Sequence, residues 1–275
     1  MMHAPHRPGR LLPLCAAGLY TFLYAPLAVV VGASFNRAPH GQRWEGFTTA
    51  WYAGLSHNEL ALAAVRNTLL LGIGSAVVST LLGTLLGYGL ERHRFPGRTW
   101  LARLLHVPVF IPDVVMAAAL LLFFGLLREL VGGVNFGLPT MIIAHVTFQI
   151  PFVAIVVRSR LAGLDPALDE AARDLGATRW QRFAHVTLPL MVPGVLAGAL
   201  LAFTLSLDDF VVSFFTSGPG STTLPILIYA STKRGISPEL HALAALIVVA
   251  SVLAAGSVAL LQRRTPARSV DRTRP

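Results

Sequence analysis

Six long uncharged stretches constrain this chain more than anything else in it. They cover residues 11–36, 67–90, 104–127 (interrupted only by Asp113), 131–157, 186–207 and 240–262. A hydrocarbon core about 30 Å thick takes about 20 helical residues to cross, and backbone groups there find no water to bond. Each stretch therefore predicts a membrane-spanning helix. A seventh, residues 210–232, holds Ser217-Gly-Pro-Gly-Ser-Thr-Thr223 at its centre. That sequence would strand backbone groups in lipid, so it predicts a helix end followed by an external or cavity-lining loop. The expected fold class is an all-α membrane protein of six spans, at about 11–34, 67–90, 104–127, 137–158, 187–214 and 240–262. The expected organisation is a cytoplasmic segment 1–10, one helical domain 11–262 with a cytoplasmic loop 160–188, and a basic tail 263–275.

Charge placement sets the orientation. With the N-terminus inside, Arg7, Arg10, Arg92, Arg94, Arg98, Arg103, Arg158, Arg160, Arg173, Arg179, Arg182 and the five arginines from Arg263 to Arg274 fall on the cytoplasmic side. Arg37, Arg43, Arg66, Arg128, Lys233 and Arg234 remain outside. This is a strong positive-inside bias, with both termini cytoplasmic. The net charge of +9 thus reports topology and contact with anionic head groups of the bilayer rather than nucleic-acid binding. Residues 11–31 follow Arg7 and Arg10 as a signal sequence would, but the apolar core is long, and an even number of spans requires its retention as a signal anchor. The single Cys15 excludes an intrachain disulfide and a cysteine metal site.

Between the fourth and fifth stretches lies a polar island. Asp165 can cap a helix opening at Pro166, with Asp169 and Glu170 in its early turns, where the helix dipole favours acids. Ala171 and Ala172 make a smooth face, and Gly176 can end the helix in a left-handed conformation. Thr178 and Gln181 have capping-box spacing and start a second helix through Trp180, Phe183 and Val186 toward Pro189. The pattern predicts two short helices at an angle, rigidly joined to the fourth and fifth spans. Elsewhere, Gly83-x-x-x-Gly87 and Gly194-x-x-x-Gly198 mark close helix packing, and Pro108, Pro112, Pro151 and Pro193 predict kinks or breaks. Trp44, Phe47, Trp51 and Tyr52 in the long external connection fit an interfacial aromatic belt or a short surface helix.

The run from Glu170-Ala-Ala-Arg-Asp-Leu-Gly176 through Leu188-Pro189 to Pro193-Gly194 resembles the EAA loop of permease subunits of binding-protein-dependent ATP-binding-cassette importers. Ser34-Phe-Asn36, Trp51-Tyr52, Asn67-Thr-Leu69, Ile111-Pro-Asp-Val-Val115, Leu205-Ser-Leu-Asp-Asp-Phe210 and Ser237-Pro-Glu-Leu240 extend the likeness along the chain. They are most similar to the second permease of spermidine/putrescine importers. The resemblance implies the six-helix, MetI-like permease fold of type I importers in a bacterial cytoplasmic membrane. It also implies a coupling surface for an ATPase at Glu170, Ala171, Ala172, Asp174, Gly176 and Ala177. Implied partners are a homologous permease, two copies of the ATPase and a periplasmic solute-binding protein. Positions matching Trp51, Asp113 and Asp208 in the polyamine branch are tied to substrate passage. Arg179 departs from the pattern, standing where the family often carries an acid.

A polycation crossing a low-dielectric bundle needs acids and aromatic faces. Asp113 falls about ten residues into the expected third span, and Asp208 and Asp209 close the fifth. A carboxylate at the centre of a membrane helix costs roughly 2.5–3.5 kcal/mol, so these positions are candidates for the substrate path, with Trp51 as a cation–π surface near the entrance. Adjacent helical residues point about 100° apart, so one of Asp208 and Asp209 is expected to face the path while the other caps or pairs locally. His145 and His185 lack metal-ligand spacing and read as packing residues, and no cofactor is expected. The sole lysine, Lys233, sits in Ala230-Ser-Thr-Lys-Arg-Gly235, so no phosphate-binding loop exists and the chain is expected to be non-catalytic, with ATP hydrolysed by a partner. Competing readings are a permease of the same type for iron, thiamine, phosphonate or sulfate, an ion-driven secondary transporter, and a membrane scaffold. A secondary transporter should show an internal repeat with its own ion site, and neither is visible.

Overall fold

The structure is a computed structural model that describes residues 11–38, 43–234 and 237–264. The segment 1–10 and the tail beyond Arg264 lie outside the described residues. The described residues are helical apart from loops and one isolated bridge between Asn36 and Phe47. They contain α1 (Leu11–Ala33), α2 (Ala50–Leu55), α3 (Glu59–Arg92), α4 (Arg98–Leu104), α5 (Val107–Phe110), α6 (Asp113–Val131), α7 (Leu138–Ala162), α8 (Ala167–Asp174), α9 (Arg179–Arg182), α10 (Leu188–Asp208), α11 (Val211–Thr216), α12 (Leu224–Arg234) and α13 (Pro238–Arg264). Five helical stretches among these residues are long and apolar enough to cross a membrane: 12–33, 59–92, 113–131, 138–162 and 179–208. The stretch Pro238–Leu253 of α13 is a shorter apolar segment.

The described residues fall into two compact units, one of the residues up to Glu59 together with those from Ala230 onward, the other Leu60–Tyr229. In the first unit α13 packs against both α1 and α2. Asn36 organises the connection after α1. It is buried, donates to Arg43 O and accepts from the backbone N–H groups of Ala38 and Glu45. Ser34 and Tyr52 share a hydrogen bond of 2.6 Å, and Phe35 stacks on Phe47. Glu239, from the Ser237-Pro-Glu-Leu240 sequence, accepts from Asn58 Nδ2.

The second unit is built on α7, against which the glycine faces of α3 and α10 close. A Cβ at Gly83 would lie 2.6 Å from Val153 Cβ, and one at Gly198 would lie 3.1 Å from Val153 Cγ1. Buried Gln149 accepts from Ser79 Oγ and donates to Ala202 O, tying α3, α7 and α10 together by side-chain bonds.

Proline acts in three ways here. Pro108 and Pro112 fall where the helical run is cut into α4, α5 and α6, with Ile111 held extended (φ −73°, ψ 130°) before Pro112. The helical run expected from residue 104 is thus broken, and Asp113 opens α6 instead of lying inside a helix. Pro151 and Pro193 lie within α7 and α10 without interrupting them. Pro189 has no N–H to offer the carbonyl of His185, and a π-helical turn, Phe183–Thr187, precedes it. That turn links α9 directly to α10, so the second helix of the polar island runs on without a break into the long helical stretch 179–208.

The Ser217–Thr223 segment is a loop between α11 and α12, as its composition predicts. Its backbone is satisfied from neighbouring elements. Asn67 Nδ2 donates to Gly220 O and Thr222 O, Thr68 Oγ1 accepts from Leu224 N, and Thr140 Oγ1 donates to Thr216 O. Gly218 lies so close to Phe136 that a Cβ would come within 1.9 Å of its carbonyl oxygen.

Candidate functional site

The cavity that gathers the predicted acids lies in the second unit. It measures about 320 Å³ and is lined by Asp113, Asp208 and Asp209 together with Phe148, Phe152 and Phe210 and several aliphatic side chains. No lysine, arginine or histidine lines it. Small-molecule sites span roughly 300–1,000 Å³, so the space suits a slender solute or part of one.

The three carboxylates are held differently. Asp113 is the first residue of α6, where the helix dipole stabilises an anion by about 0.3–1 kcal/mol. Asp208 is the last residue of α10, where the same dipole opposes a negative charge. Both are exposed, and neither has a hydrogen bond or ion pair among the described residues. Asp209 follows in an extended conformation (φ −67°, ψ 121°) and accepts the backbone N–H groups of Val212 and Ser213 at 3.2 and 2.7 Å. The helix therefore ends between the two acids, and their side chains are not held about 100° apart on one helix. Asp208 and Asp209 both line the cavity, although Asp209 is also the one that caps and pairs.

Asp209 has a partner that sequence reasoning set aside as packing. His145, buried in α7, places Nε2 3.3 Å from Asp209 Oδ2 and 3.0 Å from Ser213 Oγ. Its Nδ1 lies 2.7 Å from Ser206 Oγ, which in turn accepts from Ser75 Oγ. The available signal was an ionisable residue in the middle of an uncharged run, which is costly unless something holds it. Trp51 belongs to the first unit, where it is half-buried and donates Nε1–H to Asn36 O at 2.8 Å. Every residue lining the acidic cavity belongs to the second unit.

The polar island folds from its caps. Asp165 Oδ1 accepts from Ala167 N at the start of α8, and Gly176 takes a left-handed conformation (φ +81°) after it. Thr178 and Gln181 form both bonds of a capping box at α9. Asp169 of α8 pairs with Arg182 of α9 and closes the corner between them. Glu170, Ala171, Asp174 and Gly176 are exposed, while Ala172 and Ala177 are half-buried. Among them Leu175 is 88% and Trp180 73% exposed, an apolar surface on a segment otherwise polar enough for water.

Residues 79–266 match the sequence pattern of the family described as "Binding-protein-dependent transport system inner membrane component". The chain belongs to that family. It is accordingly a multi-pass membrane protein of the binding-protein-dependent transport class. The chain is 42% identical over 235 residues to the spermidine/putrescine transport system permease protein PotC of Escherichia coli K12, covering 86% of this chain and 87% of that protein. It is also 42% identical over 231 residues to the putrescine transport system permease protein PotI of the same strain, covering 83% and 82%. The sulfate transport system permease protein CysT of E. coli K12 is 31% identical over 275 residues, covering 96% of each. Among solved structures, a bacterial ABC transporter importing the acidic polysaccharide alginate aligns with a TM-score of 0.71 at 21% identity, covering 93% of this chain and 95% of that one. The MetNI methionine ABC transporter aligns at 0.59 and 21%, covering 78% and 99%. The fold of this family member is thus that of ABC importer permeases.

Proposed function

We infer that this chain is the permease subunit of an ATP-driven importer for polyamines such as spermidine and putrescine. The observation that carries the reading is the cavity in which Asp113 and Asp208, both without partners among the described residues, meet aromatic rings. An unpaired acid at the C-terminal end of α10 is electrostatically unfavourable until a cation arrives. Carboxylates with aromatic faces are the chemistry that replaces water around an alkylammonium chain. The names of the relatives PotC and PotI support the same solute class. A sulfate-like dianion, as in the name of the more distant CysT, would meet only negative charge in this cavity.

Six spans with both termini cytoplasmic accommodate the arginine distribution and place the α8–α9 corner on the cytoplasmic side. The partners are a homologous permease that completes the path, two copies of an ATPase that dock on Glu170–Ala177, and a periplasmic solute-binding protein. The setting is a bacterial cytoplasmic membrane. Coupling needs no long relay. The stretch 179–208 is 30 residues of continuous helix, about 45 Å at 1.5 Å per residue, with the α8–α9 corner at one end and Asp208 at the other. Motion of the docked ATPases against that corner moves the helix and its acid together. Uptake of labelled spermidine into vesicles carrying the whole complex tests the reading. Competition by putrescine but not by sulfate, iron or thiamine is the expected result. ATP-dependent uptake that ignores both polyamines overturns it.

A further inference from the structure

One buried ionisable group joins the acidic cavity to the core of the second unit. The Nε2 of His145 faces Asp209, a carboxylate that can only accept when ionised, so Nε2 carries a proton. Ser206 Oγ accepts from Ser75 Oγ at 3.1 Å, which leaves the Ser206 hydroxyl hydrogen for Nδ1 of His145. The donors then run in one direction, from Ser75 through Ser206 and His145 to Asp209. Ser206 lies in the last turn of α10, while Asp209 and Ser213 lie beyond its end. One imidazole from α7 therefore grips both sides of the break. Among the described residues no other side-chain hydrogen bond fastens the last turn of α10 to α11. The backbone N–H groups of Val212 and Ser213 hold Asp209 to α11 alone.

We propose that His145 is a positioning residue for the acidic cavity: by holding Ser206 on one side of the break and Asp209 with Ser213 on the other, it keeps Asp208 turned toward the solute. The proposal rests on the reading of that cavity as the solute's route. Asp209 is the only charged group in contact with the imidazole among the described residues. The remaining contacts are hydroxyls and the Phe148 ring at 5.3 Å, so geometry and not a wider charge network is what the imidazole controls.

The test reads the position of residue 208 without using any solute. In a Cys15→Ser background, Asp208→Cys is the only thiol of the chain. Its labelling rate by a cationic methanethiosulfonate reagent is measured in the detergent-solubilised complex, with and without His145→Ala. Assembly is checked by co-purification of the ATPase. A displacement on the order of 1 Å can change reactivity by as much as ~100-fold, so the expected change is about tenfold. His145→Gln, which keeps a donor and an acceptor on one planar group, restores the parent rate. A change below about threefold in the assembled complex overturns the proposal, as does failure of His145→Gln to restore the rate. Where His145→Ala does not assemble, the His145→Gln rate decides: parent-like supports the proposal and altered overturns it. Spermidine and putrescine uptake by the complex with the native sequence is run alongside. Its absence removes the polyamine reading while the labelling rates still decide the role of His145.

Discussion

Val153 of α7 fills the notch left by Gly83 of α3: a Cβ at residue 83 would stand 2.6 Å from the Val153 Cβ and 3.0 Å from the Ile150 carbonyl oxygen. Neither atom is the end of a flexible side chain, so Gly83→Ala must push the helices apart. Overpacking costs about 1–3 kcal/mol, against about 1 kcal/mol gained when alanine replaces glycine inside a helix. Gly83→Ala should therefore lower the melting temperature of the purified protein. Gly89→Ala, on the same helix with nothing within 4 Å, should leave it unchanged or raise it. Equal melting temperatures for the two variants would remove the close packing of α3 on α7.

Leu175 and Trp180 present apolar side chains on the polar α8–α9 corner. Leu175 is 88% exposed, so Leu175→Asp removes almost no contact within this chain and should leave its melting temperature unchanged. Its effect should fall on ATPase docking, with at least about a tenfold loss of co-purified ATPase, the scale expected of one buried apolar anchor. Gly176→Ala acts on the same corner through its backbone, since a left-handed residue other than glycine costs about 1–2 kcal/mol. Retention of full ATPase by Leu175→Asp would show that the docking surface lies elsewhere.

The parts of this fold that are legible in the sequence are those decided locally. Five of the span-length apolar runs, the Asp165 cap, the left-handed Gly176 and the Thr178–Gln181 box depend on neighbours within a few residues, and the described residues have them. The start of α6 is half legible: Pro112 predicts a break because it keeps Ile111 out of the helical region, but the continuous apolar run around it does not say that the helix restarts at Asp113. What could not be read are features set by distant partners. The break after Asp208 involves a histidine 64 positions before Asp209, and the division into two units depends on α13 returning to α1. Metal-ligand spacing says nothing of His145. Its importance comes from Ser206 and Asp209, which no spacing rule connects to it.

Asn67 carries the Ser217–Thr223 loop on a single amide, which donates to two carbonyls, Gly220 O and Thr222 O, at 2.9 and 3.0 Å. Replacing it with alanine leaves both without that donor. Gly220 is exposed and Thr222 half-buried, so water takes up part of the loss and the cost is that of ordinary hydrogen bonds, about 0.5–1.5 kcal/mol each. Asn67→Ala should lower the melting temperature and expose the loop to proteolysis near Gly218. Asn67→Asp should be worse, because an ionised carboxylate would face the same two oxygens. A loop that stays resistant to protease in Asn67→Ala would mean that Thr68 and Thr140 suffice to hold it.

Asp208 and Asp113 both lack a partner among the described residues, but the helix ends they occupy make them unequal. Asp113 is stabilised by the α6 dipole, whereas Asp208 stands at the negative end of α10. A cation beside Asp208 relieves both the carboxylate and the helix end, so Asp208→Asn should impair polyamine uptake more than Asp113→Asn. Two unit charges 4 Å apart interact by about 4 kcal/mol at an effective dielectric of 20, and part of that is spent on desolvation, so a loss of at least about tenfold in Vmax/KM is expected for Asp208→Asn. Spermidine, a trication, should suffer more than putrescine, a dication. Neither substitution touches the α8–α9 corner, so ATPase co-purification should be unchanged. Equal, undiminished uptake of both polyamines by Asp208→Asn would take the end of α10 out of the solute's path.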